Sequence, residues 1–189
     1  MDFALTEHQR SIDESVRRVC GQFEDAYWLD HDRSGDFPIE FRQAMTEGGW
    51  LGIAMPERYG GAGLGITEAA VLMHAVTNSG GAMSAASTVH INIFGPHPIV
   101  VYGSEAQRER WLPPLIAGRE IACFAVTEPD AGLDTGNLTT QARLEGDHYV
   151  VRGRKIWTST AQVADRVMLL ARTGSRGTQS SSVDGLTLF

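Results

Sequence analysis

The sequence predicts an α+β protein whose two kinds of structure are separated along the chain: an all-helical domain over residues 1–119 and an antiparallel β-sheet or barrel domain over 120–189. Three observations predict this. Apolar residues recur at helical spacing through the first part, which carries two capping-box patterns, Thr6/Gln9 and Ser104/Gln107. The pairs Gly48-Gly49, Gly80-Gly81 and Pro113-Pro114 punctuate that part into helix-sized pieces. From Ile121 onward the period falls to two, the spacing of strands.

The elements follow in order. Thr6 opens a helix, with Leu5 placed as a staple, and Ile12, Val16, Val19, Cys20 and Phe23 share one face. Asp30–Asp36 is polar and reads as a turn. Pro38 suits a helix start, and Phe41, Ala44 and Met45 give a short helix ended by Gly48-Gly49. Met55–Gly65 is rich in Pro and Gly. Gly61 and Gly63 begin a G-x-G-x-x-G, but Ile66 stands where the third Gly belongs and no strand leads in, so the loop reads as a structural turn.

Thr67–Asn78 is apolar nearly all round and reads as a buried helix. Ala82–Phe94, rich in Ala and Ser, suits close helix packing. Pro98–Tyr102 is one short turn, and the helix from Glu105 is expected to end at Pro113-Pro114. Leu138–Leu144, His148–Arg152 and Val167–Ala171 read as strands, the first two joined by Glu145-Gly146-Asp147. Gly174–Ser182 reads as a flexible loop, and Leu186–Phe189 starts a further strand, leaving an open sheet edge.

Composition narrows the function classes. The chain has 189 residues, 42% apolar and 21% charged, which is ordinary for a globular protein with a sizeable core. A formal net charge of −7 argues against a nucleic-acid partner, because phosphate backbones need a basic surface. Cys20 and Cys123, far apart, suggest reduced thiols rather than a disulfide scaffold. MDFALTEHQR lacks the pattern of a signal peptide, and no apolar run is long enough to span a membrane. A cytoplasmic location is the expectation. His90 and His97 have no Cys or carboxylate at ligand spacing, so no metal site is expected.

Two stretches carry candidate chemistry. In Ala122–Asp134 an apolar strand breaks at Thr127-Glu128-Pro129 into a loop with Gly132, leaving backbone N–H groups and the Thr127 hydroxyl for a ligand rich in acceptors. Lys155–Thr160, KIWTST, offers an indole and three hydroxyls. These suit a flat, heteroatom-rich ring; the alternative is a buried Trp among strand hydroxyls. Glu128 is the one tempting acid nearby, either a base or, with Thr127 and Pro129 beside it, a residue that structures the loop. His90 could line a cavity or be a satisfied core histidine.

VTEPDAGLD (126–134) followed by GRKIWTST (153–160) resembles the acyl-CoA dehydrogenase flavoprotein family, whose patterns run T-E-P-x-A-G-S-D and G-x-K-x-W-I-T-N. The likeness extends through MPERYGGAGLG (Met55–Gly65) and YGSEAQRERWLPPLIAGRE (Tyr102–Glu120). It implies FAD as cofactor and an acyl-CoA thioester as substrate, dehydrogenated between its α and β carbons. Phe124, Val126 and Thr127 would flank the flavin, with Val126 offering its main chain and Thr127 its hydroxyl. Trp157 would lie against a ring face, Ser159 would bond near N5, and Gly132 and Leu133 would meet the pyrophosphate through backbone donors. His90 and Phe94 would approach the acyl chain, and Leu133 also borders the thioester.

Two departures stand out: Leu133 replaces a Ser, and Thr158-Ser159-Thr160 replaces I-T-N. The resemblance also implies an incomplete middle domain and no C-terminal helical domain, where the family keeps its catalytic glutamate. No catalytic residue is therefore assigned, and the chain alone is expected to bind flavin weakly and to be inactive. An electron-transfer flavoprotein or similar acceptor and a homo- or hetero-oligomer are the implied partners. A related flavin monooxygenase-type enzyme and a non-catalytic remnant bound to a partner subunit are the alternatives.

Overall fold

A computed structural model describes residues 4–175 and 183–189. The chain forms two compact units, the first ending at Ile121 and the second beginning at Ala122.

In the first unit, α1 (Glu7–Cys20) has its capping box closed in both directions, Thr6 to Gln9 and Gln9 back to Thr6. It buries Ile12, Val16 and Cys20 against α4 (Ile66–Thr77), and Arg10 Nη1 donates to the Leu5 carbonyl at 2.6 Å. The segment read as a turn at Asp30–Asp36 is helical as far as Ser34: α2 spans Asp25–Ser34 and ends at Gly35, φ +76. Its charged residues hide the helix from pattern reading because one residue, Trp28, carries the burial. Trp28 meets Phe41 edge to face at 5.0 Å, and Phe23 meets Tyr27 at 5.0 Å and Phe41 at 5.3 Å.

Helix α3 (Ile39–Glu47) follows Pro38 and stops at Gly48-Gly49. Its Arg42 is buried, and the guanidinium donates to the carbonyls of Gly118 and Glu120 at 3.2 and 3.3 Å. The 55–65 loop uses its N–H groups internally. Ala62, Gly63 and Leu64 donate to the carbonyls of Gly52, Met55 and Ile53 at 2.9, 2.8 and 3.1 Å. A phosphate would find no nest of free donors there.

Helix α5 (Ala82–Phe94) packs on α4 through Ala85, Ala86 and Val89, and α6 (His97–Tyr102) leads into α7. Helix α7 (Glu105–Ile116) runs through Pro113-Pro114 instead of stopping there. The prolines remove only their own N–H groups, while their carbonyls accept from Ala117 and Arg119 at 3.0 and 2.9 Å. Burial of Leu112, Leu115 and Ile116 offsets the missing bonds.

The second unit holds β1 (Ala122–Ala125), β2 (Gln141–Glu145), β3 (His148–Arg152), β4 (Arg166–Arg172) and β5 (Leu186–Leu188) in one sheet of order β1-β4-β2-β3, with β5 on β4. The sheet is mixed rather than antiparallel. β1 pairs β4 in parallel, Cys123 opposite Val167, whereas the β2–β3 and β4–β5 pairs are antiparallel. The parallel pair arises because the chain after the hairpin runs back beside β1 before re-entering as β4. Gly146 turns the hairpin at φ +66.

The alternation of Leu138, Thr140, Ala142 and Leu144 with polar residues predicts four inward side chains; the first three are buried, Leu144 is 62% exposed, and ladder pairing starts only at Gln141, after a tight helical turn at Thr135–Asn137. Arg172 satisfies that turn, donating to the carbonyls of Leu138 and Gly136 at 3.2 and 2.9 Å. Of the expected loop at Gly174–Ser182, residues 176–182 lie outside the described residues. Among the described residues no helix is long and apolar enough to cross a membrane.

Gly61 tests the loop packing directly, because a Cβ there would fall 2.2 Å from the Met55 carbonyl oxygen. Gly61→Ala is expected to cost ~1–3 kcal/mol, seen as a lower urea midpoint at an unchanged slope.

Candidate functional site

β1 delivers its last residue, Ala125, into the break that the sequence marks. Val126 and Thr127 are half-buried, and Glu128 and Ala131 close a tight turn by exchanging N–H···O bonds of 3.0 and 3.2 Å. Inside that turn Glu128 is buried, at 4% exposure. One of its oxygens accepts from the Thr139 N–H and hydroxyl, both at 2.7 Å; the other accepts from the Thr140 N–H at 2.9 Å and Lys155 Nζ at 3.0 Å. Burial by itself would raise the carboxyl's pKa. The hydrogen bonds from Thr140, Thr139 and Lys155 outweigh it and bring the value down to about 2. Glu128 structures the loop and has no capacity left to act as a base.

The second stretch lies alongside β1. Lys155 Nζ donates to the Val126 carbonyl at 2.8 Å as well as to Glu128, and the Ile156 N–H donates to the Thr127 carbonyl at 3.0 Å. Farther on, the Thr160 hydroxyl reaches the Ala122 carbonyl at 3.0 Å. The structure thus brings Val126 and Thr127 together with the segment that carries Trp157 and Ser159.

Trp157 is 85% exposed, which removes the reading of a buried Trp. The Val126 carbonyl is occupied by Lys155. Because the peptide is trans, the Thr127 N–H points the opposite way. That N–H, the Thr127 hydroxyl and the Ser159 hydroxyl have no hydrogen-bond partner among the described residues. The donor set is therefore an exposed indole face beside two free hydroxyls and a free amide.

Gly132 sits at the exposed end of the loop, where a Cβ would meet nothing within 4 Å, and the Leu133 side chain stands fully in solvent. Phe124 is half-buried within β1, opposite Met168. His90 and Phe94 lie on α5 in the helical unit, their rings 5.0 Å apart, with His90 Nδ1 donating to the Ala86 carbonyl at 3.1 Å. Among the described residues no group of His, Cys, Asp and Glu could hold a metal ion. Sequence reasoning counted the Thr160 hydroxyl among the donors open to a ligand, whereas it is buried on the Ala122 carbonyl, and it missed the part that Lys155 plays. A lone Lys beside Ile156 and a lone acid at the end of an apolar strand were the available signal for the pair.

Comparison with known proteins follows the same outline. The family model for "Acyl-CoA dehydrogenase, N-terminal domain" matches residues 6–119, and that for "Acyl-CoA dehydrogenase, middle domain" matches 123–189. A 3-(aryl)acrylate reductase of Clostridium sporogenes is 35% identical over 159 residues, covering 84% of this chain and 41% of that protein. The mitochondrial isovaleryl-CoA dehydrogenase of Pongo abelii is 33% identical over 187 residues, 98% of this chain and 44% of its own length. Among solved structures, the FAD complex of PigA superposes with a TM-score of 0.87 at 25% identity, over 100% of this chain and 49% of that one. The chain spans less than half the length of these curated relatives.

Glu128 provides the pH test. Its folded pKa, about 2, lies below the ordinary 4.5, so its contribution is complete above pH 4.5 and is lost as pH falls through 4.5 toward 2. Glu128→Gln is expected to cost ~3–5 kcal/mol at pH 7 by leaving Lys155 buried without its partner. The gap from wild type, followed by urea unfolding, should narrow steadily below pH 4.5.

Proposed function

Because this chain belongs to the acyl-CoA dehydrogenase family, we propose that its Thr127 turn and Trp157 segment hold the FAD ring for α,β-dehydrogenation of an acyl-CoA thioester. FAD is the cofactor of this family, and the residues present fit it. An isoalloxazine is flat, has acceptors along its pyrimidine edge and at N5, and needs an apolar face to lie on. The observation that carries the reading is the exposed Trp157 fixed beside Thr127 by the Ile156 N–H bond of 3.0 Å.

The Thr127 hydroxyl and N–H meet the acceptor edge, Ser159 donates near N5, and Trp157 excludes water from one ring face. Phe124 and Val126 support the ring from β1. Val126 does so by position, since its carbonyl serves Lys155. Backbone donors at Gly132 and Leu133 meet the pyrophosphate, where Leu133 offers no hydroxyl. His90 and Phe94 address the acyl group. When bound, FAD supplies the acceptor for the hydride leaving the β carbon.

The α proton must go to a carboxylate within ~3 Å of that carbon. Glu128 is occupied by four donors and is not that base, which in the acyl-CoA dehydrogenase family lies in a C-terminal helical domain outside these 189 residues. This chain alone accordingly binds FAD weakly and turns over nothing. The full enzyme passes its electrons to an electron-transfer flavoprotein or similar acceptor and works as an oligomer.

The test is an FAD titration of the longest polypeptide carrying this sequence, followed by anaerobic addition of straight, branched and aryl acyl-CoA thioesters. Uptake of flavin and bleaching by an acyl-CoA are expected. Trp157→Ala should weaken FAD binding ~10-fold or more, and Thr127→Val should lose ~0.5–1.5 kcal/mol. A colourless protein indifferent to FAD would overturn the reading. Oxygen consumption by the reduced flavin without an acyl-CoA would reassign it to the monooxygenase-type relatives.

A further inference from the structure

The segment beside β1 contains two residues other than Gly in left-handed backbone, Trp157 at φ +56 and Thr160 at φ +65. For Thr this is a strained conformation, because a β-branched side chain crowds the neighbouring carbonyls there, whereas Gly and Asn tolerate it. Strain of this kind persists only where the surroundings over-determine it.

Thr160 is so held. It is 8% exposed, and its hydroxyl lies 3.0 Å from the Ala122 carbonyl at the start of β1 and 2.6 Å from the Ser159 carbonyl. Its own carbonyl accepts from the Val163 N–H at 3.1 Å, while the Ala161 N–H closes on Thr158 at 3.3 Å. At the other end of the same segment Lys155 and Ile156 are fixed to Val126 and Thr127. Trp157, Thr158 and Ser159 are thus suspended between two anchors, and none of their side chains has a hydrogen-bond partner among the described residues.

We propose that Thr160 is a positioning residue: by tying the turn to the Ala122 carbonyl, its hydroxyl fixes the direction in which Trp157 and Ser159 face the FAD ring. Without this anchor the Trp157 backbone is free to leave the left-handed region, and the indole swings with it. The identity of the ring rests on the flavin reading above. The tether does not.

The experiment separates the two. Protein labelled with 5-fluorotryptophan gives one 19F resonance for each of its four Trp residues, and Trp157→Phe assigns the one that matters. Thr160→Gly removes the strain and the tether together. The Trp157 resonance should narrow and move toward that of the free amino acid, while those of Trp28, Trp50 and Trp111 stay in place. FAD affinity of the same preparation should fall ~10-fold. Thr160→Asn, which suits the backbone and can still donate to Ala122, should keep both signals at wild-type values and raise Tm by ~2–4 °C.

A Trp157 resonance and an FAD affinity unchanged in Thr160→Gly would overturn the proposal. Should that variant not fold, Thr160→Val, which keeps the branch and lacks the donor, must lose the wild-type resonance that Thr160→Asn keeps, or the proposal fails. If wild type itself takes up no FAD, the flavin reading falls, and the tether is judged by the 19F resonance alone.

Discussion

The β unit depends on a carboxylate that is almost completely removed from water. Burying Glu128 would be ruinous without compensation, and four donors supply it, three from Thr139 and Thr140 and one from Lys155. Those donors come from two places far apart in sequence, the approach to β2 and the return segment after β3. One side chain therefore fixes three stretches of backbone at once. Lys155 extends the constraint by gripping the Val126 carbonyl, so the end of β1 cannot shift without breaking a buried ion pair. The peptide that carries the Val126 carbonyl and the Thr127 N–H is thereby oriented by the buried Lys155–Glu128 pair.

The helical unit uses a related device with the opposite charge. Arg42 is buried with its guanidinium on the carbonyls that follow α7, where helix ends leave acceptors without partners. Nearby, Asn92 of α5 donates to the Leu115 carbonyl at 3.0 Å, beside the two prolines of α7. Small residues let these helices approach closely: a Cβ on Gly81 would meet the Trp28 ring at 2.5 Å. The unit is held by apolar packing, with a buried Arg42 and Asn92 adding hydrogen bonds to backbone carbonyls at the end of α7.

What the sequence disclosed follows the range of the forces involved. α1 was legible because its cap, its apolar stripe and its charged face are all local, and β3 because a Tyr-Val-Val run follows directly on a Gly turn. α2 was not, because a single buried Trp among acidic residues leaves no periodic stripe; its stability comes from rings on α3 and on the turn after α1. The extension of α7 past its prolines and the parallel pairing of β1 with β4 are likewise set by partners distant in sequence. At the site, Thr127, Trp157 and Ser159 could be named from residue type and motif. The internal roles of Lys155 and Thr160 could not be read, and Thr160 was taken for a ligand donor, since each acts through a carbonyl about 30 to 40 residues away that no local pattern marks.

The same bookkeeping of donors and acceptors bears on what this surface can do. Around the β1 turn the peptide groups divide into those already satisfied, Glu128, Ala131, Ile156 and the Val126 and Thr127 carbonyls, and those left over. Left over are the Thr127 N–H, the Thr127 and Ser159 hydroxyls, which can donate, and one aromatic face; the buried acid of this turn, Glu128, is saturated, with its pKa held down at about 2. A surface so composed can bind and orient an electron-accepting ring and can stabilise negative charge that builds on it, but it cannot remove a proton from carbon. On the proposed reading, dehydrogenation needs both acts, so that chemistry would require a second surface bearing a carboxylate that is free where Glu128 is bound.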